Sequence, residues 1–187
     1  RQCCYAWALH LMTCWGLRTD PVAVAALETD LQASVVDAIK ELQEAGLYRL
    51  DGTKDIALIR KLVKEALGSD VPTTRTGQVS TSVETLRLTG VPSLVLLADI
   101  SNDSKLLSTY VPLLQKGTKR PIQPRYGLAE SGRSTSSGPN IQNQPRRGGV
   151  RECFVPRAGS LEDPYVYVAA DYHVAELAGL AQVLLDR

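Results

Sequence analysis

The longest regular pattern in the chain is helical. Apolar residues recur at spacings of three and four from Val24 to Leu42, as they do on the buried face of an α-helix. Asp20 followed by Pro21 is a typical helix start, because aspartate caps the first turn and proline fits inside it. Gly46 is a typical helix end. The sequence therefore predicts a long helix whose apolar face must pack against other elements.

Several more helices are predicted around this one. The helical segments are residues 5–15, residues 55–67 with Gly68 after them, a short helix to Thr89 with a capping box of Thr81 and Glu84, and a helix that begins at Pro92. Apolar positions of the last helix are Leu94, Leu97, Leu106, Tyr110 and Leu113. We expect the helices at 20–46 and 55–67 to form an antiparallel pair.

In the last third of the chain, the sequence pattern changes from helices to short strands. Residues 165–170 are a short run rich in β-branched and aromatic residues. Residues 151–157 are interpreted as a strand that ends at Pro156, and a turn at 159–164 separates the two segments. We expect them to pair as antiparallel strands. A segment with helical periodicity follows. The fold class predicted from this order is α+β. Asp171 lies where strand gives way to helix, so its carboxylate is either a helix cap or an outward-facing metal ligand.

Positive charge is concentrated in one region. The chain has a formal net charge of +1, but residues 116–151 contain eight basic residues against one glutamate. The basic residues are Lys116, Lys119, Arg120, Arg125, Arg133, Arg146, Arg147 and Arg151. Such a stretch is either a nucleic-acid-binding track or a solvated basic loop.

The cysteines and the hydropathy give weaker indications. Cys3, Cys4, Cys14 and Cys153 lack Cys-x-x-Cys spacing. His10 with Cys14 is the only hint of a zinc face, and we predict buried reduced thiols of an intracellular protein instead. No signal peptide and no apolar run long enough to cross a bilayer is evident. Because the chain starts without methionine and ends within a predicted helix, we interpret it as an internal fragment of a longer protein.

Residues 131–154 have the glycine, serine, proline and asparagine content of an irregular loop. The loop also carries side chains that suit base edges and phosphates better than a core. They are Arg133, Asn140, Gln142, Asn143, Arg146, Arg147 and Arg151.

Two motifs in this region carry a family resemblance. Residues 131–145 match Thr-Gly-Arg-x-Ser-Ser-x-x-Pro-Asn-Leu-Gln-Asn-Ile-Pro, and residues 171–177 match Asp-Tyr-Ser-Gln-x-Glu-Leu, known as motif A. With these two motifs in this order along the sequence, the chain resembles the family A, or polymerase I-like, DNA polymerases. Weaker likenesses place Arg75, Thr76 and Gly77 on a Lys-Thr-Gly segment, and residues 104–110 on Thr-Lys-Leu-Lys-Ser-Thr-Tyr. The resemblance covers residues 16–177.

The resemblance implies an incomplete right-hand polymerase fold. Residues 1–19 would form a palm lead-in helix, residues 20–115 a helical thumb, and residues 116–187 the N-terminal part of the palm through motif A. The palm part would contain an antiparallel sheet. No stretch resembles the family's fingers helix or its second catalytic carboxylate, so we expect this chain alone not to extend a primer.

The implied reaction is template-directed DNA synthesis. A primer 3′-hydroxyl attacks an incoming dNTP, and two Mg²⁺ ions activate the nucleophile and stabilise the leaving group. By resemblance, Asp171 bridges both ions and the backbone carbonyl of Tyr172 coordinates one. Glu176 would exclude ribonucleotides by occupying the space of the 2′-hydroxyl.

The resemblance also implies the DNA contacts. Arg133, Gln142 and Asn143 would face the minor groove, where base acceptors are nearly sequence-independent. Arg75, Thr76 and Gly77 would approach the duplex from the thumb, and Lys105 would lie along its backbone. We add Asn140 and Arg151 as further DNA-binding candidates. Primer–template DNA and dNTP are the implied partners, with no membrane.

Departures from the family pattern mark a divergent member. They are His173, Val174, Ala175 and Ala178 in and after motif A, and Gly138 and Gln144 in the upstream motif. One interpretation is a phage-encoded enzyme, working in the cytoplasm of a bacterium or of an infected host. The alternative is a non-catalytic duplex-DNA-binding remnant of the same family.

Overall fold

The computed structural model describes residues 2–156 and 165–168. The elements in chain order are α1 (Gln2–Trp15), β1 (Arg18–Thr19), α2 (Pro21–Glu44), α3 (Ile56–Leu67), α4 (Val83–Leu88), α5 (Pro92–Lys105), a π-helical turn (Leu106–Tyr110), α6 (Val111–Lys119), β2 (Arg125–Leu128), β3 (Ser134–Ser137) and β4 (Phe154–Val155), with a 3₁₀ turn at Gly68–Asp70. The chain divides into compact units of residues 1–155 and 156–187. In the second unit, the described residues 165–168 have no regular secondary structure.

Helix α2 forms as its sequence pattern predicts. The Asp20 side chain accepts a hydrogen bond from the Val22 backbone N–H, and Pro21 occupies the first turn. At the other end Gly46 has φ +73°, a left-handed conformation that glycine adopts without strain. One face of the helix is buried, at Val24, Leu31, Ala38 and Leu42.

Most of the buried apolar residues form two hydrophobic clusters, and α2 contributes to both. The distal core contains Ala38, Leu42, Leu47, Ile59, Val63, Leu86, Leu94, Leu97, Ala98 and Ile100. The proximal core contains Val24, Leu31, Leu106, Val111, Leu114, Val150 and Cys153. The most extensive packing of α2 is against α5, whereas α3 joins the distal core through Ile59 and Val63. The expected pairing of α2 with α3 is therefore not the main helix contact.

The π-helical turn changes which residues of the following helix are buried. The backbone N–H of Val111 donates to the Leu106 carbonyl, five residues earlier, so the turn holds one more residue than an α-helical turn. Val111 and Leu114 are buried in place of the predicted Tyr110 and Leu113.

A second correction concerns the start of α4. The N-cap is Ser82, whose Oγ accepts a hydrogen bond from the Thr85 N–H at 3.2 Å. The capping box predicted for Thr81 and Glu84 is therefore wrong by one residue. A serine and a threonine adjacent to each other both suit this position, and the sequence alone did not separate them.

The strands confirm the α+β class but not the predicted pairing. β2 and β3 form an antiparallel hairpin in which Arg125 lies opposite Ser137. β4 pairs antiparallel with β1, and the described residues of the other predicted strand, 165–168, have no regular secondary structure. The strand predicted at 151–157 is reduced to β4, because a turn precedes it, with the Phe154 N–H donating to the Arg151 carbonyl.

The cysteines are only partly as predicted. Cys153 is buried, whereas Cys4 and Cys14 are exposed free thiols. The expectation that the thiols are buried is wrong for these two, because they lie on an α1 helix that is largely exposed. Within residues 2–156 and 165–168, no helix is long and apolar enough to span a bilayer.

Candidate nucleic-acid interface

The loop of residues 138–144 follows β3 and is held by it. Ser136 Oγ donates to the Pro139 carbonyl at 3.2 Å and accepts from the Ile141 N–H at 3.1 Å. The Asn140 side-chain oxygen then accepts from the backbone N–H groups of Gln142 and Asn143, at 3.1 and 3.3 Å. This is an Asx turn, in which a side chain replaces a backbone acceptor. The loop therefore has a defined shape.

A buried glutamine, Gln144, holds the C-terminal end of the same loop through hydrogen bonds. Gln144 Nε2 donates to the Asn140 carbonyl at 2.9 Å, and Arg151 Nη2 donates to the Gln144 carbonyl at 2.8 Å. Asn140 and Arg151, both predicted to bind DNA, thus hold the loop in place. Further contacts of either side chain with DNA stay a prediction. The sequence signal for Gln144 was a polar residue where the family pattern has an aliphatic one.

Two amide side chains project from this loop. Gln142 and Asn143 are both exposed. Gln142 Nε2 donates to Ser134 Oγ at 2.9 Å, which leaves its second N–H and its oxygen available. The side-chain amide of Asn143 forms no hydrogen bond with the part of the chain that the structure describes. Both amides can therefore donate to an external partner.

Arg133 lies at the end of the turn that joins β2 to β3. The turn is closed by the Ala129 N–H donating to the Arg133 carbonyl and the Gly132 N–H donating to the Ala129 carbonyl, both at 2.9 Å. Arg133 is exposed, and its guanidinium forms no ion pair with any described residue. Because β3 carries Arg133 at one end and the 138–144 loop at the other, one hairpin positions both.

Arg75, Thr76 and Gly77 form the exposed tip of a second turn. Its base is closed by the Thr74 N–H donating to the Gln78 carbonyl at 2.7 Å, and the Gly77 N–H donates inward to the Thr74 carbonyl at 2.8 Å. The Thr76 hydroxyl pairs with that of Thr74 at 3.0 Å. Arg75 is therefore the principal outward donor. Within the described residues, no hydrogen bond or ion pair joins this turn to the 138–144 loop.

Lys105 lines a mixed-charge cleft of about 680 Å³ between the α5 end and residues 145–148. The other charged lining residues are Arg87, Asp99, Asp103, Arg146 and Arg147. Arg87 is paired with Asp99 at 2.6 Å, and Asp103 accepts a hydrogen bond from Ser34. Lys105, Arg146 and Arg147 have no ion-pair partner among the described residues. Basic residues from distant stretches thus meet in one cleft.

The predicted metal ligands are not among the described residues. Asp171, Tyr172 and Glu176 fall outside the described residues, so their roles stay predictions. Across residues 2–156 and 165–168, no three histidine, cysteine, aspartate or glutamate side chains converge as metal ligands would. His10 Nε2 and Cys14 Sγ are 3.5 Å apart on α1.

Comparison with known proteins now fixes the family. The family model for DNA polymerase family A matches residues 23–187. The chain belongs to family A of the DNA polymerases.

Two relatives are similar to it over part of their length. DNA polymerase I of Bacillus subtilis (strain 168) is 36% identical over an alignment 91 residues long, which covers 44% of this chain and 10% of that protein. The structure titled POL domain of Pol1 from M. smegmatis, in complex with DNA primer-template and dNTP, covers 79% of this chain with a TM-score of 0.57 and 24% identity. This chain covers 28% of that chain, and the likeness shows the fold alone.

Proposed function

We propose that the chain is part of a template-directed DNA polymerase, and that its described part holds the primer–template duplex. Membership of family A supports the reaction class. The observation that carries the proposal is the hydrogen-bonded 138–144 loop, which presents Gln142 and Asn143 outward from fixed backbone positions. In this proposal, residues 20–115 are the thumb and residues 116–187 belong to the palm.

Amide donors fit the recognition that a polymerase needs. Minor-groove acceptors are nearly the same for all base pairs. Donors from Gln142, Asn143 and Arg133 can therefore hold a duplex of any sequence and still respond to the shape of a mismatched pair. Lys105, Arg146 and Arg147, which have no ion-pair partner within the described part of the chain, neutralise backbone phosphates in this proposal, and this supplies affinity without sequence preference.

The chemical step is assigned to residues outside the described part. Asp171 and the Tyr172 carbonyl are proposed to hold Mg²⁺, and Glu176 to favour deoxynucleotides. Divalent ions of this kind activate the attacking hydroxyl and stabilise the leaving pyrophosphate. The proposed setting is the cytoplasm of a bacterium or of a phage-infected cell.

Duplex binding by the 187-residue chain tests the first part of the proposal. Fluorescence anisotropy with a labelled primer–template should show binding that Arg133→Ala and Asn143→Ala each weaken by about 1–3 kcal/mol. Lys61→Ala is the matched control, because Lys61 is exposed and its ammonium group pairs with Glu65, at 3.9 Å. Equal affinity for wild type and both interface variants would refute this placement of the duplex.

Primer extension tests the second part. The natural gene product carrying this sequence should extend a primer in the presence of Mg²⁺. Asp171→Ala should abolish extension while duplex affinity is kept. If the wild type binds the duplex but does not extend it, the non-catalytic duplex-binding alternative becomes the better description.

A further inference from the structure

Gln144 is a buried amide at a position where core packing does not call for one. Its exposed fraction is 8%. Nε2 donates to the Asn140 carbonyl at 2.9 Å, while Oε1 is buried and receives no hydrogen bond from any described residue. A buried acceptor without a donor is costly. A leucine or methionine of similar size would fill the site without that cost, so packing alone does not explain the amide.

The contribution of the amide is its bond to Asn140. Asn140 organises the exposed end of the loop, since its side-chain oxygen fixes the backbone N–H groups of Gln142 and Asn143. On the other side, Arg151 Nη2 holds the carbonyl of Gln144 itself. A series of hydrogen bonds therefore links Arg151, Gln144 and Asn140 to the backbone N–H groups of Gln142 and Asn143, the two residues whose side-chain amides face outward.

We propose that Gln144 is a positioning residue for duplex binding, acting through Asn140 on Gln142 and Asn143. This inference rests on the proposed function. Gln144 itself is buried and does not touch the duplex. By fixing the loop before DNA arrives, it removes part of the ordering cost that a flexible loop would incur on binding.

The test uses Gln144→Leu in the 187-residue chain. The variant should bind a labelled primer–template about five-fold more weakly, the effect of losing one hydrogen bond that orders the loop. Its thermal midpoint should be unchanged or higher, because the unsatisfied oxygen is removed. The slope of log affinity against log salt should stay the same, because no charge changes. Gln144→Met should behave in the same way.

Two measurements separate positioning from a general structural role. In a background with Gln142→Ala and Asn143→Ala, Gln144→Leu should have no further effect on affinity, because the groups it positions are absent. An equal loss in both backgrounds would overturn the proposal. So would a lowered thermal midpoint with unchanged affinity well below the midpoint.

The same experiment distinguishes failure of this inference from failure of the proposed function. If the wild-type chain binds no duplex even at low salt, the proposed function fails and the inference fails with it. If the wild type binds and both Gln144 variants bind equally well, only the positioning role is refuted.

Discussion

Gly148 lies directly against the side chain of Leu106. A Cβ built on Gly148 would lie 2.6 Å from Leu106 Cδ1, and Gly148 has φ +91°. Because Gly148 follows Arg146 and Arg147 directly, this contact places the two arginines beside the π-helical turn and near Lys105. The cleft that gathers these three cations therefore depends on a glycine at this point.

Gly148→Ala should destabilise the chain more than an alanine at another left-handed glycine. Gly52 is the matched control, because it has φ +78° and no atom within 4 Å of a built Cβ. Both substitutions carry backbone strain of about 1 kcal/mol. Only Gly148→Ala adds a clash, and because the close atom is the end of the Leu106 side chain, moving that side chain should cost about 1 kcal/mol. Urea unfolding measures both, and equal losses would contradict the close packing at Leu106.

The charges of the cleft should differ in their contribution to DNA affinity. Lys105→Ala and Arg147→Ala should each reduce the slope of log affinity against log salt by about one, as expected for a lost phosphate contact. Arg87→Ala is the control from the same cleft, since Asp99 already neutralises Arg87. Its slope should change less. A change as large for Arg87 as for Lys105 would mean that the Arg87–Asp99 pair opens on binding.

Ser82 should matter more than Thr81 for the stability of α4. Ser82→Ala removes the acceptor for the Thr85 N–H and should lower the free energy of unfolding by about 1 kcal/mol. Thr81→Ala removes a neighbouring hydroxyl of similar chemistry that caps nothing, and should have little effect. Chemical denaturation of the two variants tests this, and the reverse order would restore the capping box expected from the sequence.

Cys153 should resist alkylation at a pH where Cys4 and Cys14 react. Burial raises the pKa of the Cys153 thiol, and the negative charges of Glu152 and Asp20 raise it further. The reactive thiolate is therefore disfavoured in the folded chain. The contribution of the protonated, buried Cys153 thiol to folding stability is complete below the ordinary thiol pKa of about 8.5. That contribution is lost as the pH rises through the raised pKa of Cys153. Iodoacetamide labelling, measured by mass spectrometry, should show slow modification of Cys153 until the pH reaches its raised pKa. Labelling as fast as that of Cys4 would contradict its burial.

Local signals accounted for much of the fold. The boundaries of α2 followed from Asp20, Pro21 and Gly46, because caps act on adjacent backbone groups. The apolar positions after Leu106 were misjudged, because one extra residue in the π-helical turn shifts the register and no local pattern announces it. The partner of β4 was also missed. β1 lies near the other end of the chain, and pairing at that distance depends on the packing of the helices between them.

The candidate site was predicted in part. Arg133, Gln142 and Asn143 stood out because motif spacing identified them, and the structure places all three on one hairpin and its following loop. The hydrogen bond from the Gln144 side chain to the Asn140 carbonyl could not be predicted from motif spacing, because it depends on which side chain of the loop is buried. The meeting of Lys105 with Arg146 and Arg147 likewise required the tertiary fold, since the segments are far apart in sequence.

The proposed function requires this chain to hold duplex DNA through the shape and backbone of the duplex rather than through its base sequence. The most direct test is equilibrium binding of the 187-residue chain to two primer–template duplexes of unrelated sequence, each at several salt concentrations. We expect equal affinities and one shared, steep salt dependence, because minor-groove amides and phosphate contacts do not distinguish the sequences. Strong preference for one duplex, or no binding at low salt, would contradict the claim.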